Sequence, residues 1–313
     1  MGPMAVRPLI SIVVPSYNQG SFIRETIDSI LSQDYRPLEV LVLDGASKDE
    51  TVDVLRSYGD VPELQWWSEP DRGVVDAVNK GLARAQGEII GIQSSDDVYL
   101  PGALTAAAEE LLRDEQLALV YGDVEYVDAQ SRVMSRTNLP PFDFREYVGK
   151  LTFIPQPAAF FTAAAACAAG EWRADVSYAA DAEFFLRIVA AGKAKKIDRL
   201  LARYRYHEAQ RDQAGARIML DWERSIAPYA RAGDKDVRRH ARSGIHLARH
   251  HYMPERRWVR RTFELYRALA VNPALLRRRE IRGMRELLPG RYPLFRLLSR
   301  IKRALGFKAR GST

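Results

Sequence analysis

The 313-residue sequence predicts an α/β protein, a mostly parallel sheet flanked by helices, followed by a C-terminal helical region. Three observations carry this reading. Strand-like and helix-like segments alternate over the first 125 residues, a pattern that builds a parallel sheet covered on both faces. Polar residues collect just after the predicted strands. After about Asp212 the strand signals stop and helical spacing takes over.

Each element has its own warrant. Leu9 to Val14 is a β-branched run closed by Pro15 and the turn-like Ser16-Tyr17-Asn18-Gln19-Gly20, and it reads as a buried strand. Ser21 is expected to cap a helix whose apolar positions are Phe22, Ile23, Ile27, Ile30 and Leu31. Glu39 to Leu43 is a second strand ending at Asp44-Gly45, with a helix from about Asp49 to Tyr58. Leu64 to Ser68 reads as a third strand and Val74 to Ala85 as a helix. Glu88 to Gln93 is a further strand ending in Ser94-Ser95-Asp96-Asp97. Leu117 to Val127 is expected to hold a strand pair around Gly122-Asp123.

Composition narrows the class. Hydrophobic residues make up 47% of the chain, enough for a folded core. The single cysteine, Cys167, excludes a disulfide scaffold and reads as a small buried hydrophobe within an alanine-rich stretch. No run of about 18 apolar residues suggests a membrane span, and no signal-peptide pattern opens the chain. A cytoplasmic protein is expected.

Tyr17 and Asn18 follow the first strand, Asp44 and Ser47 the second, and Asp96 and Asp97 the fourth. Ligands of open α/β sheets sit outside the carboxyl ends of the strands, so these loops point to one site. Turn preference alone also accounts for such residues in any single loop. Three phosphate or nucleophile motifs are missing: Gly-x-Gly-x-x-Gly, the P-loop and the Gly-x-Ser-x-Gly elbow. What remains is a nucleotide site without a glycine-rich cradle, where carboxylates holding Mg²⁺ or Mn²⁺ would neutralise phosphate.

Ser11-Ile12-Val13-Val14-Pro15-Ser16-Tyr17-Asn18, Ile27 to Gln33, and Glu39 to Ser47 with Asp49 and Thr51 resemble family 2 glycosyltransferases of the GT-A fold. Ser68-Glu69-Pro70-Asp71-Arg72-Gly73 and Asp76 to Gly81 are similar to a bacterial, non-processive subgroup. Ser94-Ser95-Asp96-Asp97 stands at the Asp-x-Asp position, and Gln156-Pro157, Phe160-Phe161 and Ala180 to Arg187 match acceptor-side segments. The resemblance spans about residues 8–210, and its specificity lies in the order and spacing of several motifs.

It implies a Rossmann-like nucleotide half, an acceptor half, and transfer of one sugar from a nucleotide donor, UDP- or dTDP-linked, to a hydroxyl acceptor. Pro15, Ser16, Tyr17, Asn18, Asp44 and Ser47 would hold base and ribose, with Asp71, Asn79 and Lys80 lining the same pocket. Asp96 and Asp97 would meet the ribose and a divalent cation, Mn or Mg, and Asp181 would be the catalytic base. Asp181 also suits the first turn of a helix, and both roles are compatible. The resemblance puts His207 near the diphosphate or on the cation; a hydrogen-bonded surface histidine is the other reading. Ser94 replaces a common acidic residue, and Asp44-Gly45-Ala46-Ser47 departs from Asp-Asp-Gly-Ser. The Gln-x-x-Arg-Trp motif of processive synthases is missing, so a single-addition enzyme is expected.

The net charge of +7 is uneven. Residues 251–313 hold 17 Lys+Arg and 4 Asp+Glu, a net +13, whereas residues 1–250 sum to −6. A catalytic domain over 1–215 and a basic helical region over 216–313 are expected. Leu294, Leu298, Ile301 and Leu305 repeat at helical spacing beside Arg296, Arg300 and Arg303, which suits a membrane surface; the family resemblance adds a lipid-linked acceptor at the inner face as what it implies. A helical bundle or dimer contact, and nucleic-acid binding, compete for this tail; no nucleic acid is expected. His240, His246, His250 and His251 read as a solvated helix face. A nucleotidyltransferase and a non-catalytic adaptor acting through the tail are the alternatives for the whole chain.

Overall fold

The computed structural model describes residues 7–207 and 214–277. Among them, β1 (Ile10–Ser16), β2 (Leu38–Asp44), β3 (Leu64–Ser68) and β4 (Ile89–Ile92) alternate with α1 (Ile23–Leu31), α2 (Thr51–Arg56) and α3 (Val74–Arg84). Every residue of β1, β2 and β4 is buried, as expected of strands covered on both faces. The second half adds β5 (Val98–Tyr99), α4 (Ala103–Arg113), β6 (Leu117–Val127), β7 (Val133–Arg136), α5 (Phe144–Val148), β8 (Ala159–Thr162), α6 (Ala163–Ala169), α7 (Ala180–Ala191) and β9 (Lys193–Arg205).

One sheet runs β3-β2-β1-β4-β8-β6-β9-β5, with β7 on β6. Pairs β1–β2, β2–β3, β1–β4 and β6–β9 are parallel, and β8 enters antiparallel between β4 and β6. Gly81 lets α3 lie hard against this sheet: a Cβ there would sit 2.3 Å from Val13 Cγ1 and 2.9 Å from Leu43 Cδ2. That contact sets α3, and with it Lys80, over the ends of β2 and β3.

Three further helices follow, α8 (Gly215–Ala232), α9 (Lys235–Tyr252) and α10 (Trp258–Val271). Trp222 and Ile226 of α8 and Ala241 and Ala248 of α9 join the core cluster that also contains Phe184 of α7. The Trp222 indole meets Tyr147 edge-on at 5.6 Å. Among the described residues, no helix is long and apolar enough to cross a membrane. The amphipathic repeat from Leu294 to Leu305 lies outside the described residues.

Local expectations are corrected in four places. Ser21 does not cap α1; the helix starts at Ile23, where the Gln19 carbonyl accepts from the amides of Phe22 and Ile23. Leu117–Val127 is one continuous strand rather than a pair, because its length is matched by the parallel partner β9. Cys167 is exposed on α6, since a helix otherwise made of alanine has no stripe of large apolar residues to fix which face turns inward. The α9 histidines are not a uniformly solvated face: His246 Nδ1 lies 2.6 Å from Glu264 Oε2, and His250 Nδ1 lies 2.8 Å from the Arg261 carbonyl.

Candidate active site

The carboxyl ends of β1, β2 and β3 are in register, Ser16 beside Asp44 and Asp44 beside Ser68. Buried Asp44 accepts hydrogen bonds from the Ser47 amide (3.0 Å), the Ser68 hydroxyl (2.6 Å) and the Ser47 hydroxyl. A carboxylate has about four acceptor sites, so Asp44 retains capacity for a ligand N–H. Asn18 joins the first two loops: its amide N–H donates to Ser47 Oγ at 2.8 Å, and its Oδ1 accepts from the Lys48 amide at 2.8 Å. Asn18 (φ 52°) and Ala46 (φ 59°) are left-handed, which costs Ala46 roughly 1–2 kcal/mol and makes this loop a locally strained one. Pro15 is buried in β1 opposite Leu43, and Tyr17 is exposed at the rim. The buried Ser16 hydroxyl makes no hydrogen bond among the described residues.

Beside these ends lies a shallow cleft lined by Leu43, Asp44, Trp67, Glu69, Asp71, Ala77 and Lys80. Asp71 reaches it across Gly45, where a Cβ would stand 2.8 Å from Asp71 Oδ2. Lys80 Nζ lies 3.1 Å from Glu69 and 3.5 Å from Asp76, and the bond with Glu69 chiefly raises its pKa. The cleft lining therefore holds one ammonium, Lys80, and three carboxylates, Asp44, Glu69 and Asp71, of which Glu69 pairs with Lys80. Asn79 does not line it. Both ends of its amide hold the Trp172 backbone, at 3.0 and 2.8 Å, because one residue along α3 turns the side chain toward the acceptor half.

Next to β1, strand β4 ends in the loop carrying Asp96 and Asp97, both buried. Their carboxylates have different partners. Asp97 Oδ1 accepts from the Arg205 amide of β9 at 2.8 Å, whereas Asp96 Oδ2 lies 2.9 Å from His207 Nε2. The buried Arg205 guanidinium organises this corner. It donates to the Asp96 carbonyl (2.7 Å), Glu25 of α1 (2.6 Å) and Ser131 of the β6–β7 turn (2.8 Å). It also lies 4.9 Å over the Phe22 ring, which is itself 5.0 Å from the His207 ring. Asp96 and His207 are the residues of this corner that could hold a divalent cation, the carboxylate being the ligand type that Mn²⁺ and Mg²⁺ prefer. Among the described residues no third His, Cys, Asp or Glu joins them.

The family model for glycosyl transferase family 2 matches residues 11–167, half of the chain. The chain belongs to this family. A chondroitin synthase of Pasteurella multocida is 32% identical over 197 residues, 62% of this glycosyltransferase and 20% of that protein. The chain thus spans about a fifth of the length of that relative. Among solved structures, S. aureus TarS in complex with UDP-GlcNAc matches with a TM-score of 0.63 at 15% identity, covering 84% of this chain and 81% of that one. The Pyrobaculum calidifontis mannosyltransferase PcManGT, in complex with GDP-Man and Mn²⁺, matches with a TM-score of 0.62 at 21% identity, covering 96% and 85%. Both share the GT-A fold with this glycosyltransferase.

Asp181 of this glycosyltransferase is the second residue of α7 and half-buried. Burial, and then the charge of Asp181, push the Tyr147 phenol well above its usual pKa, and its hydroxyl donates to the Ala182 carbonyl at 3.0 Å. The other acid of that turn, Glu183, is committed to Arg187 at 2.8 Å and Arg173 at 3.4 Å. Sequence reasoning missed three contributors: Arg205, Phe22 and the cleft wall of Trp67 and Glu69. Glu69 lies in the Ser68 to Gly73 motif, two residues from Asp71, and Trp67 in the strand that precedes it. Arg205 was marked only by being a charge two residues before a candidate ligand.

Proposed function

We propose that this enzyme moves a single sugar, with inversion, from a nucleoside-diphosphate sugar to a hydroxyl acceptor during assembly of a cell-surface glycan. The observation that carries the reading is the Asp96–His207 pair standing one strand away from the Asp44–Asp71–Lys80 cleft. The cleft takes the base and ribose, with Asp44 accepting from a base N–H. Asp96 and His207 hold a divalent cation, and Asp97 supports them from behind through β9. When bound, the cation offsets the negative charge that develops on the leaving diphosphate.

The acceptor hydroxyl forms a bond to the anomeric carbon as the bond from that carbon to the diphosphate oxygen breaks. The proton passes to the Asp181 carboxylate, and the electron pair leaves with the nucleoside diphosphate. A positioned base accelerates such a step by about 10²–10⁴. Complexes of the structural neighbours with UDP-GlcNAc and GDP-Man support a nucleotide-sugar donor. We favour UDP or dTDP as the nucleotide. The likeness to a chondroitin synthase supports a role in polysaccharide building. The basic region from residue 216 onward is read as bringing the enzyme to the cytoplasmic face of a membrane, where the acceptor is lipid-linked.

Thermal shift with UDP, dTDP and GDP, each with and without Mn²⁺, tests the donor reading. A nucleotide at 100 times its Kd stabilises by about 2.7 kcal/mol. Stabilisation by UDP or dTDP that needs Mn²⁺ is expected. Equal shifts with and without the cation would remove the cation from the donor site.

A further inference from the structure

Helix α10 has an inward face and an outward one. Leu265 and Ala268 are fully buried with Leu247 of α9 and Leu275. His246–Glu264 at 2.6 Å, and reciprocal bonds between His250 and Arg261 at 2.8 and 2.9 Å, fix the rotation of α10 on α9. On the outward face, Val259, Phe263 and Tyr266 are 51%, 55% and 49% exposed. They stand at i, i+4 and i+7, so three large apolar side chains form one stripe. Single exposed apolar residues are ordinary, whereas a contiguous stripe marks a binding surface.

Arginines border the stripe. Arg260 and Arg267, seven residues apart, lie on one flank, and Arg256 and Arg257 stand at its N-terminal end, all exposed. The Arg267 guanidinium lies 4.5 Å over the Phe263 ring. The one acid of α10, Glu264, is buried between His246 (2.6 Å) and Arg267 (3.3 Å), which leaves Arg256, Arg257 and Arg260 without an acid of this helix beside them. An apolar and aromatic stripe edged by arginine matches the boundary between lipid headgroups and acyl chains. The net +13 of residues 251–313 adds charge complementarity to an anionic surface.

We infer that the outward face of α10 seats the enzyme on an anionic bilayer, with Val259, Phe263 and Tyr266 entering the interface and the arginines meeting lipid phosphates. This rests on the membrane-surface reading above and assigns it to a particular helix. It does not depend on the transfer chemistry.

The test uses the full chain. Cys167, exposed and the single cysteine, is replaced by serine, and Phe263→Cys carries an environment-sensitive fluorophore. Vesicles of phosphatidylcholine with phosphatidylglycerol should shift its emission to the blue, and phosphatidylcholine alone should not. A triple Val259→Ser, Phe263→Ser, Tyr266→Ser variant should lose about tenfold or more in partitioning at high salt, where purely electrostatic attachment is screened. Its nucleotide-dependent thermal shift should be unchanged. Co-sedimentation without a fluorophore response would overturn the α10 assignment and leave membrane attachment standing. No co-sedimentation would overturn both. A blue shift that follows protein concentration without vesicles would instead assign the stripe to a second copy of the chain.

Discussion

His207 Nε2 lies 2.9 Å from Asp96 Oδ2, joining the end of β9 to the loop that follows β4. Asp96 is buried and His207 is largely covered, with 12% side-chain exposure each. If the two act together on a cation, removing either has a similar effect. Asp96→Ala and His207→Ala should each raise the Mn²⁺ concentration needed for donor binding by about tenfold or more. Chelation of divalent ions should bring the wild type to the level of both variants. A calorimetric Mn²⁺ titration in the presence of UDP reads this, and an unchanged Asp96→Ala titration would remove Asp96 as a ligand.

Asp181→Asn keeps the size and the helix position but not the basicity. Transfer should fall by about 10²–10⁴ while nucleotide affinity stays within a few-fold. Glu183→Gln is the control, because that acid is engaged with Arg187 and Arg173. It should lower the melting temperature instead. A normal transfer rate for Asp181→Asn would refute the base assignment.

Gly45→Ala tests the cleft itself. The new methyl would need to occupy space 2.8 Å from Asp71 Oδ2, so Asp71 must retreat. Misplacement of a binding group by about 1 Å costs on the order of 10²-fold, and KM for the donor should carry this loss. Acceptor KM should not change, which steady-state kinetics with each substrate varied would show.

Asp123 and Lys196 form a buried pair at 2.8 Å between β6 and β9. Burial pushes the Asp123 carboxyl up, but Lys196, the Leu139 amide and the Thr137 hydroxyl together hold it below its ordinary value. Its stabilisation is therefore complete above the unfolded value of about 3.9 and is lost as pH falls through the lower folded value. Asp123→Asn should cost about 3 kcal/mol at neutral pH, the low end for a broken buried pair, because Asp198 still meets Lys196 at 2.6 Å. Denaturant unfolding from pH 7 downward should show this gap constant to about pH 4 and closing below it.

Much of the nucleotide half was legible because its signals are local. The β-branched run of β1 announces a strand buried on both faces, and the polar residues after β1, β2 and β4 do converge on one edge. The Arg205 network was not legible, since its partners Glu25, Asp96 and Ser131 lie 180, 109 and 74 residues away. Phe22 counted as a helix core position from its spacing, yet its ring faces Arg205 and His207 just before the first turn. Asn79 and Lys80 are neighbours in sequence with opposite duties, because 100° of helix separates them. Cys167 shows the converse: an alanine run gives helix without saying which side is covered.

Arg205 answers to three segments at once, α1, the Asp96–Asp97 loop and the β6–β7 turn. Such a hub restricts how the lineage can drift. A change at Glu25 or Ser131 leaves a buried guanidinium short of a partner, so it should survive only alongside a compensating change at position 205. These three positions should therefore vary as a set among descendants of this sequence, even though no stretch of chain connects them.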